Sequence, residues 1–240
     1  MRLTALLLFV AASLVAAASP SAEERVFPMA NALTPQSGQE VMTILRTTLQ
    51  LRDLKLEDGK FRTSGTPAQM AASEWLLHRL DRPAGWRPSQ QEVTNPATRD
   101  YQGTVRVYYL PAEASMQMIQ ETLTILRTVL DVQKVFNYTQ QKALVVADNR
   151  SQLEAIEWLL SAMNSTASSA PYKLEGKPDD LVRVFALSHG GVTEVQDLIK
   201  DLRGKLRIEK VFNRSNPALV VVRGKAAELD AADKLIGSLK

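Results

Sequence analysis

The tetrapeptide "KVFN" occurs twice in the chain, at residues 134–137 and again at residues 210–213. The flanking sequence matches as well. After a short turn in each case, the first copy continues with "KALVVADNRSQLEAIEWLL" and the second with "PALVVVRGKAAELDAADKLI". Both copies open with a segment rich in β-branched and aromatic residues, which is typical of a β-strand: "VRVYYL" at 105–110 and "VRVFAL" at 182–187. Repetition of this kind predicts copies of one structural module.

A third and more diverged copy precedes these two. "ILRTTLQL" at 44–51 matches "ILRTVLDV" at 125–132, and "EWLL" at 74–77 matches "EWLL" at 157–160. The opening strand of this copy is "RVFPMA" at 25–30, in which Pro28 favours an edge position or a bend. We therefore predict three tandem modules in the chain.

Each copy has the pattern of a strand, an amphipathic helix, two strands joined by a hairpin, and a second helix. In the middle copy the first helix carries Ile119, Leu123 and Leu126 at spacings of three and four residues. A β-α-β crossover makes the first two strands parallel, and the hairpin adds an antiparallel strand. This β-α-β-β-α order predicts an α+β fold of two-layer modules, each with one more exposed sheet face.

The composition between the copies predicts where the modules begin and end. Pro-, Ser- and polar-rich stretches separate them and are typical of linkers. The predicted organisation is a signal peptide (1–18), module 1 (25–81), a linker (82–103), module 2 (104–163), a second linker (164–180) and module 3 (181–240).

The N-terminal stretch predicts export. "MRLTALLLFVAASLVAAAS" has one basic residue, an apolar stretch and small residues before Ser19, which is the layout of a secretory signal peptide. A retained N-terminal anchor is the alternative. The chain has no cysteine, so neither disulfides nor thiolate metal sites are expected. Its net charge of +3 is weak evidence for a polyanionic partner. We predict a periplasmic or secreted bacterial protein with no stable membrane span after cleavage.

The strand "NPALVVVRG" and the helix "KAAELDAADKLIGSLK" that follows it resemble the N-terminal periplasmic modules of secretins, which belong to the ring-building group of β-α-β-β-α domains. The third copy is the most similar and the first is the least. The resemblance implies protein–protein association or self-association, with a secretin-type channel or a pilus system as possible partners. Secretins continue into a β-rich channel domain, which this sequence does not contain, so pore formation is not implied.

Candidate chemical groups are scattered. The two histidines, His78 and His189, fall in different modules, and so do Glu74 and Glu157 of the "EWLL" repeats. No metal-ligand or nucleophile-elbow spacing occurs, so we predict no catalytic residue, no metal and no cofactor. A small-ligand-binding or hydrolytic periplasmic protein is the first alternative. Nucleic-acid binding through KH-like modules is the second alternative. Such modules clamp the nucleic-acid backbone with a GXXG loop, to which "RGKA" at 223–226 is a poor match, and no basic face accompanies it.

Two tryptophans are the candidate interaction residues. On a helical wheel Trp158 lies almost opposite the stripe of Leu153, Ile156 and Leu159, and Trp75 lies outside the equivalent stripe of the first copy. The third copy has Lys234 at this place. Exposed tryptophan is enriched at interfaces, so both side chains could contact a partner. Coverage within the chain, by Trp86, Tyr172 or a neighbouring module, is the other explanation, and both remain open.

Overall fold

The first β-α-β-β-α set begins at residue 23. The computed structural model describes residues 23–83, 85–88, 98–100, 104–177, 179–187 and 191–237. Module 1 consists of β1 (Glu23–Pro28), α1 (Pro35–Thr48), β2 (Leu54–Glu57), β3 (Lys60–Gly65) and α2 (Pro67–Leu80). Thr66 caps α2 by accepting a hydrogen bond from the backbone N–H of Gln69, and it is followed by a proline at the first helical position.

The second and third sets have the same element order. Module 2 consists of β5 (Thr104–Tyr109), α3 (Met116–Val129), β6 (Val135–Tyr138), a 3₁₀ turn (Thr139–Gln141), β7 (Ala143–Asp148) and α4 (Arg150–Met163). Module 3 consists of β9 (Leu181–Ala186), α5 (Val192–Gly204), β10 (Lys210–Ser215), β11 (Ala218–Gly224) and α6 (Ala226–Gly237). The fold class is α+β, as predicted. The boundaries of the modules stay a prediction.

The last strand of each module lies in the middle of its sheet. In sheet 1, for example, β3 lies between β1 and β2 and pairs antiparallel with both. The first two strands of a module therefore run in the same direction, as expected, but are not neighbours. Both predicted linkers add a short edge strand: β4 (Thr98–Asp100) pairs with β5, and β8 (Tyr172–Lys173) pairs with β9.

The second face of each sheet, which is the face that points away from the module's own helices, differs between the modules. Its central residue is Arg62 in sheet 1, Val145 in sheet 2 and Val221 in sheet 3. The side chain of Arg62 is 50% exposed, whereas Val145 and Val221 are both 0% exposed. The prediction of one more exposed sheet face therefore holds for sheet 1 and is wrong for the other two.

Helices of the preceding module cover those two faces. Val105, Val107 and Val145 of sheet 2 share a core with residues of α1 and α2. Val184 and Val221 of sheet 3 share a core with residues of α3 and α4. The modules are thus stacked as alternating layers of sheet and helix, and the third core lies between sheet 3 and its own helices. The continuous apolar runs "ALVVA" and "ALVVV" suit strands that are buried on both faces.

Candidate protein-interaction surfaces

The two candidate tryptophans lie in separate modules, on α2 and α4. Both are half-buried, and each packs against the edge of a core. The ring of Trp158 stacks on Tyr172 of β8, with 4.6 Å between ring centroids and 24° between ring planes. Tyr172 belongs to a segment that the sequence predicts as a linker, so a residue from that segment covers part of this tryptophan. A partner contact at Trp75 or Trp158 stays a prediction.

Both glutamates of the "EWLL" repeats have an ion-pair partner. Arg25 of β1 pairs with Glu74 at 3.4 Å, and Arg106 of β5 pairs with Glu157 at 2.7 Å. In module 3, Arg183 pairs with Asp233 at 3.2 Å. Each arginine lies on the first strand of its module and each acid on the second helix. The repeated glutamates were singled out from the sequence, but their arginine partners were not predicted, although "RV" recurs in all three opening strands.

A carboxylate joins each module to the next. Glu40 of α1 accepts hydrogen bonds from the backbone N–H of Thr139 at 2.8 Å and from its hydroxyl at 2.6 Å. Glu121 of α3 accepts the same two bonds from Ser215, at 3.0 and 2.7 Å. Thr139 and Ser215 occupy the same place in their hairpins, at the end of the strand that contains "VFN". We call this pair of hydrogen bonds the carboxylate clasp.

A cluster of charges strengthens the junction between modules 2 and 3. Asp131, just after α3, pairs with Lys210 at 2.5 Å, with Arg223 at 2.8 Å and with Lys177 at 3.3 Å. Arg223 also pairs with Asp180 at 2.5 Å. Desolvation raises the pKa of Asp131, but hydrogen bonds from the three cations outweigh it and lower the pKa to about 2.

A buried arginine lies at the same junction. Arg214 of β10 is 2% exposed and donates to the carbonyl of Met163, the last residue of α4. Desolvation lowers its pKa, and the charge of Glu121 opposes that shift. Arg214 lines a groove of about 270 Å³ between α3 and α5. Arg214 was not among the residues predicted from the sequence.

A larger cavity of about 450 Å³ lies at the end of β5, beside α4. Its wall includes Tyr108, Tyr109 and Leu160, and the carboxylate of Glu157, which is held by Arg106, lies at its side. Burial raises the pKa of Tyr108 well above its ordinary value, and its hydroxyl donates to the carbonyl of Leu153.

The remaining sequence candidates are separated. His78 is exposed on α2, whereas His189 falls outside the described residues. Among the residues that the structure describes, no group of three or more His, Asp or Glu side chains could hold a metal ion. Across the same residues, no helix has both the length and the apolar character needed to cross a membrane.

No protein-family model matches the chain, and no curated protein matches it. Solved structures do. Aeromonas hydrophila ExeD shares 15% identity over 92% of this chain, with a TM-score of 0.22, and the chain spans 41% of ExeD. The N-terminal domain of the secretin XcpQ from Pseudomonas aeruginosa shares 14% identity over 91% of this chain and 99% of that domain, with a TM-score of 0.28. A secretin N-terminal domain is thus among the solved structures that the chain matches.

Proposed function

We propose that this protein is an exported, non-enzymatic assembly protein of the bacterial envelope that acts through protein–protein contacts, as an accessory of a secretion or pilus system. The observation that carries the proposal is the way in which the modules bind each other. Two successive junctions use the same parts: a sheet face covered by the helices of the preceding module, and a carboxylate clasp at a hairpin. The module is therefore itself a protein-binding unit.

The terminal surfaces of the stack are available to other proteins. The open face of sheet 1 is polar apart from Val26, which is 43% exposed, and the exposed Pro28, and it presents Lys55 and Arg62 beside that valine. At the other end α5 presents Asp197 and Lys200, which are exposed and paired with each other at 3.1 Å. Charged surfaces with few apolar groups favour reversible contacts over permanent burial. The sequence resemblance to secretin N-terminal modules favours a secretion-system partner.

The test is photo-crosslinking in the bacterium that encodes the chain. A crosslinking amino acid is placed at Val26 or Lys200 on the terminal surfaces, with buried Val221 as the control position. We expect adducts with envelope proteins from the surface positions, intrachain products alone from the control, and a mature chain that begins at Ser19 in the periplasmic fraction. A cytoplasmic protein, or one that forms no adduct from either surface position, would contradict the proposal.

A small-ligand-binding protein is the second candidate, because the cavity beside Tyr108 has the size and the aromatic lining of many ligand sites. Native mass spectrometry of the protein purified from its host tests this alternative. A co-purifying small molecule that is displaced by a Leu160→Trp substitution would favour it over the assembly function.

A further inference from the structure

The groove that contains Arg214 is formed by two modules. The N-terminal parts of α3 and α5 form its sides, and the β10–β11 hairpin forms its base. Its volume is about 270 Å³, which is room for roughly one amino-acid residue. The lining residues that matter here are Gln117, Glu121, Val192, Val195, Asn213 and Arg214.

The charge at the base of this groove has no acidic partner. No carboxylate lies within ion-pair distance of Arg214 in the described part of the chain, and its Nε atom there has no hydrogen-bond partner. The nearby carboxylate of Glu121 is already engaged by Ser215 and Gln117. The charge of Glu121 offsets part of the desolvation of Arg214, but this carboxylate is held by other donors, so the guanidinium keeps hydrogen-bonding capacity for an incoming anion.

The equivalent groove at the junction of modules 1 and 2 shows that the fold does not require this charge. That groove has a volume of about 240 Å³ and is lined by Gln36, Glu40 and Asn137, which match Gln117, Glu121 and Asn213. The residue equivalent to Arg214 in module 2 is Tyr138, a neutral residue that is 0% exposed, and no arginine lines the first groove. The guanidinium is thus a feature of the second groove alone.

The rim of the second groove is apolar. Val192, at the start of α5, is 74% exposed, more than any other large hydrophobic side chain in the described part of the chain. Val195 continues the same wall into the groove. An occupant that covered Val192 with an apolar group while placing an anion near Arg214 would satisfy both features.

We propose that this groove binds the C-terminal carboxylate of a partner protein whose last side chain is apolar. A C-terminal residue carries the anion and the apolar group on one Cα atom, which suits a groove of single-residue size. A glutamate or aspartate side chain would supply the anion and leave the valines uncovered. The side-chain amide of Asn213 lies in the wall, where it can donate to the second carboxylate oxygen. The inference rests on the proposed function, because it names a class of partner.

The probe is the tripeptide N-acetyl-Ala-Ala-Leu with a free carboxylate, titrated into the ¹⁵N-labelled exported chain and followed by NMR. We expect chemical-shift changes at Val192, Asn213 and Ser215, with a dissociation constant in the millimolar range or below. The C-terminal amide of the same peptide should bind at least about tenfold more weakly, because it lacks the charge. Arg214→Tyr, which copies the equivalent groove, should weaken binding to the same extent.

A second variant keeps the test decisive if Arg214→Tyr fails to fold. Val192→Glu changes an exposed side chain and should weaken the free-acid peptide through repulsion while leaving the fold intact. The proposal would be overturned if the free acid and the amide bound equally well, or if an amidated peptide with an internal glutamate bound as well as the free acid. It would also be overturned if Val192→Glu bound the free acid as the native protein does, or if no chemical shifts changed at about 10 mM peptide. Adducts in the crosslinking experiment would still support the assembly function after any of these outcomes.

Discussion

Glu121 and Ser215 are 94 residues apart in sequence, yet the carboxylate of the first accepts both the backbone N–H and the hydroxyl of the second. The same relationship joins Glu40 to Thr139 across 99 residues. In each case a helix of one module holds the hairpin of the next. This contact fixes the lateral position of a helix on a sheet face whose other contacts are mostly apolar and therefore non-directional.

Removal of the clasp should weaken the junction measurably. We expect Glu121→Ala to lower the free energy of unfolding by about 1–2 kcal/mol, since hydrogen bonds to a charged group are lost and the backbone N–H of Ser215 loses its acceptor. The control is Glu154→Ala, which removes an exposed pair with Arg150 on α4 and should cost about 0.5 kcal/mol or less. The measurement is urea denaturation of both variants. A loss for Glu121→Ala no larger than that of the control would contradict the clasp.

The charge cluster at Asp131 should make the junction between modules 2 and 3 sensitive to acid. The folded-state pKa of about 2 lies below the ordinary value of 3.8, so the ionised carboxylate stabilises the fold above about pH 4, and this stabilisation is lost as the pH falls towards 2. The side chain is 41% exposed, so solvent screening reduces the effect to about 1 kcal/mol.

The measurement is urea denaturation of the native protein and of Asp131→Asn at several pH values. The stability difference between them should be constant from pH 6 to pH 5 and should shrink below pH 4. A difference that does not change down to pH 2 would show that the cluster contributes no pH-dependent stability.

Trp158 and Tyr172 should be energetically coupled. A stacked aromatic pair contributes about 0.5–1.5 kcal/mol beyond area burial, so a double-mutant cycle with Trp158→Ala and Tyr172→Ala should give a coupling energy in that range. Trp75 has no aromatic stack among the described residues, so the loss of stability in Trp75→Lys serves as the comparison for a tryptophan without such a partner. If the two losses of stability were additive, Tyr172 would not stabilise the position of Trp158, and Trp158 would remain a candidate for contact with a partner protein.

Much of the fold follows from sequence because its signals are local. The repeated "KVFN" segments locate the hairpins, and the cap before α2 and the leucine spacing of α3 locate the helices. The stacking was missed although a signal for it exists. The second-face residues of "KFRTSG" are polar, whereas those of "ALVVA" are apolar, and only the latter pattern is expected of a strand buried on both faces.

The interaction surfaces were less predictable, because they depend on contacts between distant residues. A helical wheel treats α4 as isolated and therefore cannot show that Tyr172 covers Trp158. Arg214 appears in sequence as an ordinary polar residue at the end of a strand. Its burial results from the packing of modules 2 and 3, which no local pattern records.

The most direct test of the stacked arrangement compares equivalent positions on the three sheets. Val145→Arg and Val221→Arg place in sheets 2 and 3 the residue that sheet 1 carries at position 62. If the helices of the preceding module cover these faces, each variant should lose at least about 3 kcal/mol in urea denaturation, because a charge is buried without a partner. Arg62→Val should change stability by no more than about 0.5 kcal/mol, since its face is open. Losses of that small size for all three variants would contradict the stacked arrangement of the modules.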